Sequence, residues 1–186
     1  MFDFIKCMDD VFGAEGGVSD NPNDLGGHTA YGMTQHTYNQ SRINRHLPIQ
    51  DVTLATRVEL IQIYREEFWI KSGCDKLLNI NKDRLALLHF HVTVQRGPFN
   101  AVCMLQTTLN VNPPTGFFGN ITLNLVSLAL EDSLIYLYLS KMKAHYLEQI
   151  VKVPSQSVFK KGWLNRLNKI ATTINSSWHI DINAEN

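Results

Sequence analysis

The sequence is poor in the residues that build special-purpose scaffolds. Three cysteines occur, Cys7, Cys74 and Cys103, and they lie far apart. An odd, scattered set supplies neither a disulfide framework nor a CxxC metal pair, so these thiols read as small buried hydrophobes. No basic stripe is present, and 17 Lys+Arg balance 17 Asp+Glu. That balance argues against nucleic acid as a partner. No stretch approaches the ~18 consecutive apolar residues of a membrane span, so no membrane insertion is expected. The first ten residues carry Asp3, Lys6, Asp9 and Asp10 in place of a basic leader followed by an apolar run. The chain therefore reads as made in the cytoplasm without a signal peptide. No HExxH pair occurs, and two histidines spaced like His89 and His91 point about 200° apart on a helix, so they cannot share one ion.

What is present is helical spacing. The 186 residues are 44% apolar, enough for one domain, or one domain with a small module, to form a core unaided. Phe4, Met8, Val11 and Phe12 share a face of a first helix over 2–14, which Gly16 and Gly17 stop. Residues 18–33 form a long shaped loop with room for a short β-hairpin. Thr34 caps a short helix to about Asn44, and Asp51 a longer one striped by Leu54, Ala55, Val58, Ile61 and Phe68. Asp83 opens a helix with Leu85, Leu88 and Val92 at core spacing, and Gly97-Pro98 separates it from the next, Phe99 to Asn110. Further helices are predicted over 121–130, 133–151 and 162–175. The run from Leu134 to Leu139 is apolar nearly all round and predicts a buried helix, with a partner-facing surface as the alternative. Residues 176–186 read as a frayed polar tail. The fold class is mainly α.

Residues 15–34 carry the chemistry-bearing types. Glu15 falls where a helix ends, and the negative end of the helix dipole favours the neutral, proton-holding carboxyl. Such an acid is what cleavage of a glycosidic bond requires on the leaving-group side. Asp20 and Asp24 follow on a loop with four glycines, which can fold Asp24 or Thr29 back opposite Glu15. The residues alone equally fit a surface glutamate followed by an Asx-rich turn.

The whole run resembles the N-terminal motif of glycoside hydrolase family 108, the N-acetylmuramidases of phage endolysins and bacterial secretion-activator proteins. Glu15-Gly16-Gly17 is followed by an Asp-rich turn and then by Gly26-Gly27-His28-Thr29-Ala30-Tyr31-Gly32-Met33-Thr34, with Met33 where the family has Ile. Tyr64 to Trp69 with Cys74-Asp75, Gly97-Pro98 to Gln106, Gly116 to Leu123, and Gly162 to Arg166 are similar to later family stretches in order and spacing. The resemblance spans roughly residues 4–170. It implies a compact lysozyme-like fold with a catalytic region over 1–95, a helical peptidoglycan-binding region over 96–175 packed on it, and the tail 176–186.

By that resemblance Glu15 is the general acid, with Asp24 and Thr29 as helpers that stabilise charge, act as base or place a water. Loop-shaping hydrogen bonds are the other reading of those two. Gly27, Tyr31, Thr34, His91, Gln95 and Trp163 are the implied sugar contacts, although Trp163 in an apolar helical stripe equally suits core packing. The implied activity is cleavage of the β-1,4 bond between N-acetylmuramic acid and N-acetylglucosamine, with no metal or cofactor. The implied partners are peptidoglycan strands in the periplasm or cell wall, with a holin or export machinery for delivery in phage lysis or protein export. Two departures favour an alternative, a wall-binding or secretion-assisting protein with little turnover. His91 and Gln95 replace the family's Asp and Asn on one helical face, and Thr115 replaces an Asp before Gly116.

Overall fold

The computed structural model describes residues 2–15, 18–19 and 28–181, with side chains over 2–12 and 28–181. Helix α1 (Phe4–Glu15) buries Cys7, Met8 and Val11, with Phe4 and Phe12 packed beside them. This is the face its spacing predicts. Strands β1 (Val18–Ser19), β2 (Thr29–Ala30) and β3 (Met33–Thr34) form a small antiparallel sheet in that order. Its second turn is Tyr31-Gly32, with φ of 52° and 75°. Positive φ at both central residues matches the twist of a two-residue hairpin. Tyr31 tolerates this conformation because Tyr64 Oη donates to its carbonyl at 2.9 Å and Phe12 meets its ring edge-on.

Helix α2 (Gln35–Asn44) is capped by Thr34, whose hydroxyl accepts from Thr37 N at 3.2 Å, as the sequence predicts. Asp51 caps only a short 3-10 turn, Val52–Leu54. Thr56 caps the following helix α3 (Arg57–Ile63), which runs into a π-helical segment, Tyr64–Ile70. The later start and the wider π turn rotate the buried face. Leu60, Ile63, Tyr64 and Phe68 pack inward, while Leu54 and Val58, expected in the stripe, are 65% and 76% exposed. Helix α4 (Cys74–Asn79) follows Gly73, whose φ of +80° and contact with Phe118 exclude a side chain.

Helix α5 (Asp83–Arg96) is the axis of the molecule, buried continuously from Leu85 to Thr93. Helices α6 (Pro98–Thr108), α7 (Asn120–Leu128), α8 (Glu131–Lys152) and α9 (Lys160–Thr173) complete it. One core cluster includes Val11 and Leu88 as well as Leu139 and Leu167, so both halves of the chain share it. Polar ties cross the same boundary. Arg84 pairs with Glu131 and Asp132 at 3.1 and 2.8 Å, and Lys76 donates to the Phe118 carbonyl at 2.9 Å.

Two further expectations are corrected. In α8, Leu134, Ile135, Tyr138 and Leu139 are buried, but Tyr136 and Leu137 are half exposed, because one helical face still meets solvent. The segment after α9 is not a frayed tail through residue 181: Trp178 and Ile180 are buried. Trp178 Nε1 donates to Ser140 Oγ at 3.0 Å, and Asn168 bonds both backbone groups of Ile180. A tryptophan and an isoleucine among polar neighbours were enough to anchor it.

Candidate active-site groove

Strand alternation sets one wall of the site. Thr29 and Thr34 are cross-strand partners, as are Ala30 and Met33. Ala30 and Met33 are buried in the core, which turns Thr29 and Thr34 to the other face. That face borders an open groove of about 1230 Å³. The opposite wall comes from the far half of the chain: α8 through Tyr146, the 3-10 turn Pro154–Phe159, and α9 through Trp163. Gln95 and Arg96, at the end of α5, form part of the lining between them.

Aromatic rings line the far wall. Trp163 stacks on Tyr146 with centroids 4.9 Å apart and on Phe159 at 5.9 Å. Trp163 thus packs against the core and also presents itself to the groove. Tyr146 Oη donates a short hydrogen bond to Gln95 Oε1, and Gln95 Nε2 is buried without a partner. The amide of Gln95 therefore joins the end of α5 to the ring stack.

His91 lies deeper, outside the groove lining and 1% exposed at its side chain. Its Nε2 donates to Asp10 Oδ2 at 2.7 Å, and its Nδ1 is buried without a hydrogen bond. This bond holds the Asp10 carboxyl below its ordinary pKa. The pair pins α1, the helix that ends at Glu15, against α5. No motif pointed to Asp10, although its place one turn from the buried Cys7 puts it within reach of a facing partner.

His89, on the opposite side of α5, is fully enclosed. Burial lowers its pKa to about 4, so the ring is neutral at physiological pH. The Nε2–H donates to the Ser72 carbonyl at 3.1 Å, which leaves Nδ1 to accept from Tyr138 Oη at 2.8 Å. The two histidines serve separate internal bonds, and among the described residues no cluster of His, Cys, Asp or Glu is arranged to hold a metal ion.

Among the other residues singled out in the sequence, Tyr31 forms the hairpin turn and Thr34 combines its capping role with a place on the groove. The backbone of Glu15 closes α1. Val18 is three Cα steps along the chain, so the helix end lies within roughly 11 Å of the sheet. Its side chain, Asp24 and Gly27 lie outside the described residues. Thr115, where the family resemblance has Asp, is bound internally: Gln106 Oε1 accepts from Thr115 N at 2.7 Å and Gly116 N at 3.0 Å. Gln106 Nε2 lies 3.0 Å from Thr115 Oγ1, the Phe117 carbonyl and Thr122 Oγ1, which share its two protons.

Comparison with known proteins agrees with this arrangement. No curated relative matches the chain. Among solved structures, SagA of Brucella abortus is similar with a TM-score of 0.75 and 28% sequence identity, over 92% of this chain and 93% of that one. The sequence pattern of the glycosyl hydrolase 108 family matches residues 8–97, the segment that carries α1, the sheet and α5. Over residues 8–97 the mainly α, lysozyme-like molecule thus matches the glycosyl hydrolase 108 family, and over nearly its whole length it is similar to SagA.

Proposed function

We propose that the protein is an N-acetylmuramidase that cleaves the β-1,4 bond between N-acetylmuramic acid and N-acetylglucosamine. The observation that carries this reading is the groove itself. It is larger than the ~300–1,000 Å³ of ordinary small-molecule pockets and open to solvent, which suits a ligand as large as a glycan strand. One wall is the sheet beside the end of α1, and the other is a packed aromatic surface of Tyr146, Phe159 and Trp163.

In this mechanism Glu15 donates its proton to the glycosidic oxygen as the bond to the departing sugar breaks. Water attacks the anomeric carbon, and Asp24 stabilises the oxocarbenium-like charge or takes the water's proton. Thr29, on the groove wall, positions that water. Tyr31 and Thr34 shape the wall, Gln95 orients the ring stack, and His91 acts through Asp10 to hold α1. Delivery to the wall by a holin or an export system would place the activity in phage lysis or protein export.

The rival is a peptidoglycan-binding protein with little turnover, suggested by the replacements at His91, Gln95 and Thr115. One assay separates them. Purified protein incubated with insoluble peptidoglycan should release reducing ends, and Glu15→Gln should lower the rate by at least ~10²-fold. Full activity in Glu15→Gln would remove Glu15 from the mechanism, and wall binding without release would favour the rival.

A further inference from the structure

One backbone position beside the groove is out of keeping with its residue type. Among the described residues, five non-glycine positions have positive φ. Three are the asparagines Asn81, Asn110 and Asn175, and a fourth is His46, types that enter the left-handed region readily. The fifth is Tyr31 at φ 52°, a bulky residue for which that region is strained. The first central position of such a two-residue hairpin turn favours Asn, Asp or Gly. Strain of this kind persists only where the surrounding structure holds it.

Tyr64 supplies the hold. It opens the π-helical segment Tyr64–Ile70, it is fully buried, and its Oη donates to the Tyr31 carbonyl at 2.9 Å. Its ring is fixed by packing from three elements. Ring centroids lie 5.0 Å away at Phe68 of the same segment, 5.7 Å at Phe12 of α1 and 6.3 Å at Phe90 of α5. Phe12 also meets the Tyr31 ring edge-on at 6.4 Å. The hydroxyl therefore projects from a locked ring onto the peptide at the strained position. π-helical turns concentrate at functional sites, and this one delivers Tyr64 to the hairpin. Gly32, Thr29 and Thr34, on either side of that peptide, border the groove, so a shift of the turn moves the wall they form.

We propose that Tyr64 is a positioning residue for the glycan-cleaving site: through the Tyr31 carbonyl it holds the β2–β3 turn, and with it the Thr29–Thr34 wall, where the reaction uses it. The inference rests on the muramidase reading and deepens it. Tyr64 lies outside the groove lining, so its effect on the reaction passes through the turn. Removal of its hydroxyl leaves the core ring in place and lets the strained peptide relax towards an ordinary backbone, which displaces the wall.

The test uses the full chain and the variant Tyr64→Phe, which keeps the ring and removes the donor. Amides of β2 and β3 should exchange roughly tenfold faster in the variant, as for loss of one net hydrogen bond, while those of α5 keep the wild-type rate. On solubilised glycan strands kcat should fall severalfold with KM little changed, since the wall is displaced rather than removed. Tyr31→Asn supplies a residue that the turn accepts without support. In that background, Tyr64→Phe should no longer speed exchange at the hairpin. Hairpin exchange indifferent to Tyr64→Phe, equal acceleration with and without Tyr31→Asn, or a loosened hairpin with kcat intact overturns the proposal. Reducing-end release by the wild type is scored alongside. Tyr64-dependent exchange in a wild type that releases nothing sinks the muramidase reading alone, and release with Tyr64-indifferent exchange sinks the positioning role alone.

Discussion

The two histidines of α5 show how one residue type takes different duties by position. His91 spends its Nε2 on Asp10, a carboxylate supplied by α1. By resemblance the family carries the acid at the α5 position, so here the charge stands on the facing helix. His91→Ala should cost about 2–4 kcal/mol in urea denaturation, through the cavity and the carboxylate left without its donor. His91→Asp should be similarly destabilising, because two carboxyls would face each other. Adding Asp10→His should recover at least half of that loss, and failure to recover would show that the pair is not a reversible exchange. The replacement of Asp by His was readable in the sequence, but its partner was not. Finding Asp10 required knowing which helix crosses α5, and that is a tertiary fact.

His89 gives a pH dependence with a definite sign. Its folded pKa is depressed to about 4, well under the ordinary imidazole value, because burial penalises the charged ring. The unfolded chain therefore takes up the proton first. The stability from neutral His89 is complete above about pH 6.5 and is lost as pH falls from there towards 4, by about 3 kcal/mol. His89→Gln can keep an amide donor to Ser72 without titrating. The stability of the wild type relative to this variant should fall between pH 7 and pH 4, and a constant difference would contradict the assignment.

Among elements, the helices were legible because their apolar residues recur at helical spacing and their ends carry Thr34, Asp83, Gly97 and Pro98. The α3 region was misread because periodicity gives a stripe only once the helix start and winding are known. Thr56, not Asp51, starts that helix, and the π segment changes its phase. Gly73 illustrates a constraint invisible in a single sequence. A Cβ at this position would lie 2.3 Å from the Phe118 ring, on a backbone at φ +80°. Gly73→Ala should cost roughly 3 kcal/mol or more, and in a double-mutant cycle Phe118→Ala should relieve the steric part but not the backbone part. Additive losses would mean that the ring does not set the constraint.

Across the whole molecule, the candidate site was half legible. The hairpin announced itself, whereas the wall facing it is assembled from residues more than a hundred positions later. Trp178 and Ile180 reinforce that distant wall by bonding to Ser140 on α8 and Asn168 on α9. Trp178→Ala should cost about 3–5 kcal/mol and lower the melting temperature by roughly 6–20 °C. It should also loosen the α8–α9 wall, read as faster amide exchange at Tyr146 and Trp163. An unchanged exchange pattern would show that the segment covers the core without bracing the groove.

The division of the groove between the sheet and α9 has a consequence for how the protein is born. A ribosome releases the hairpin and the end of α1 well before α9. Until Trp163 and Lys169 emerge, the nascent chain owns a motif without a trough to hold a strand. Maturation of the groove therefore waits on synthesis of α9, so the order of the elements along the chain sets when a strand can first be held.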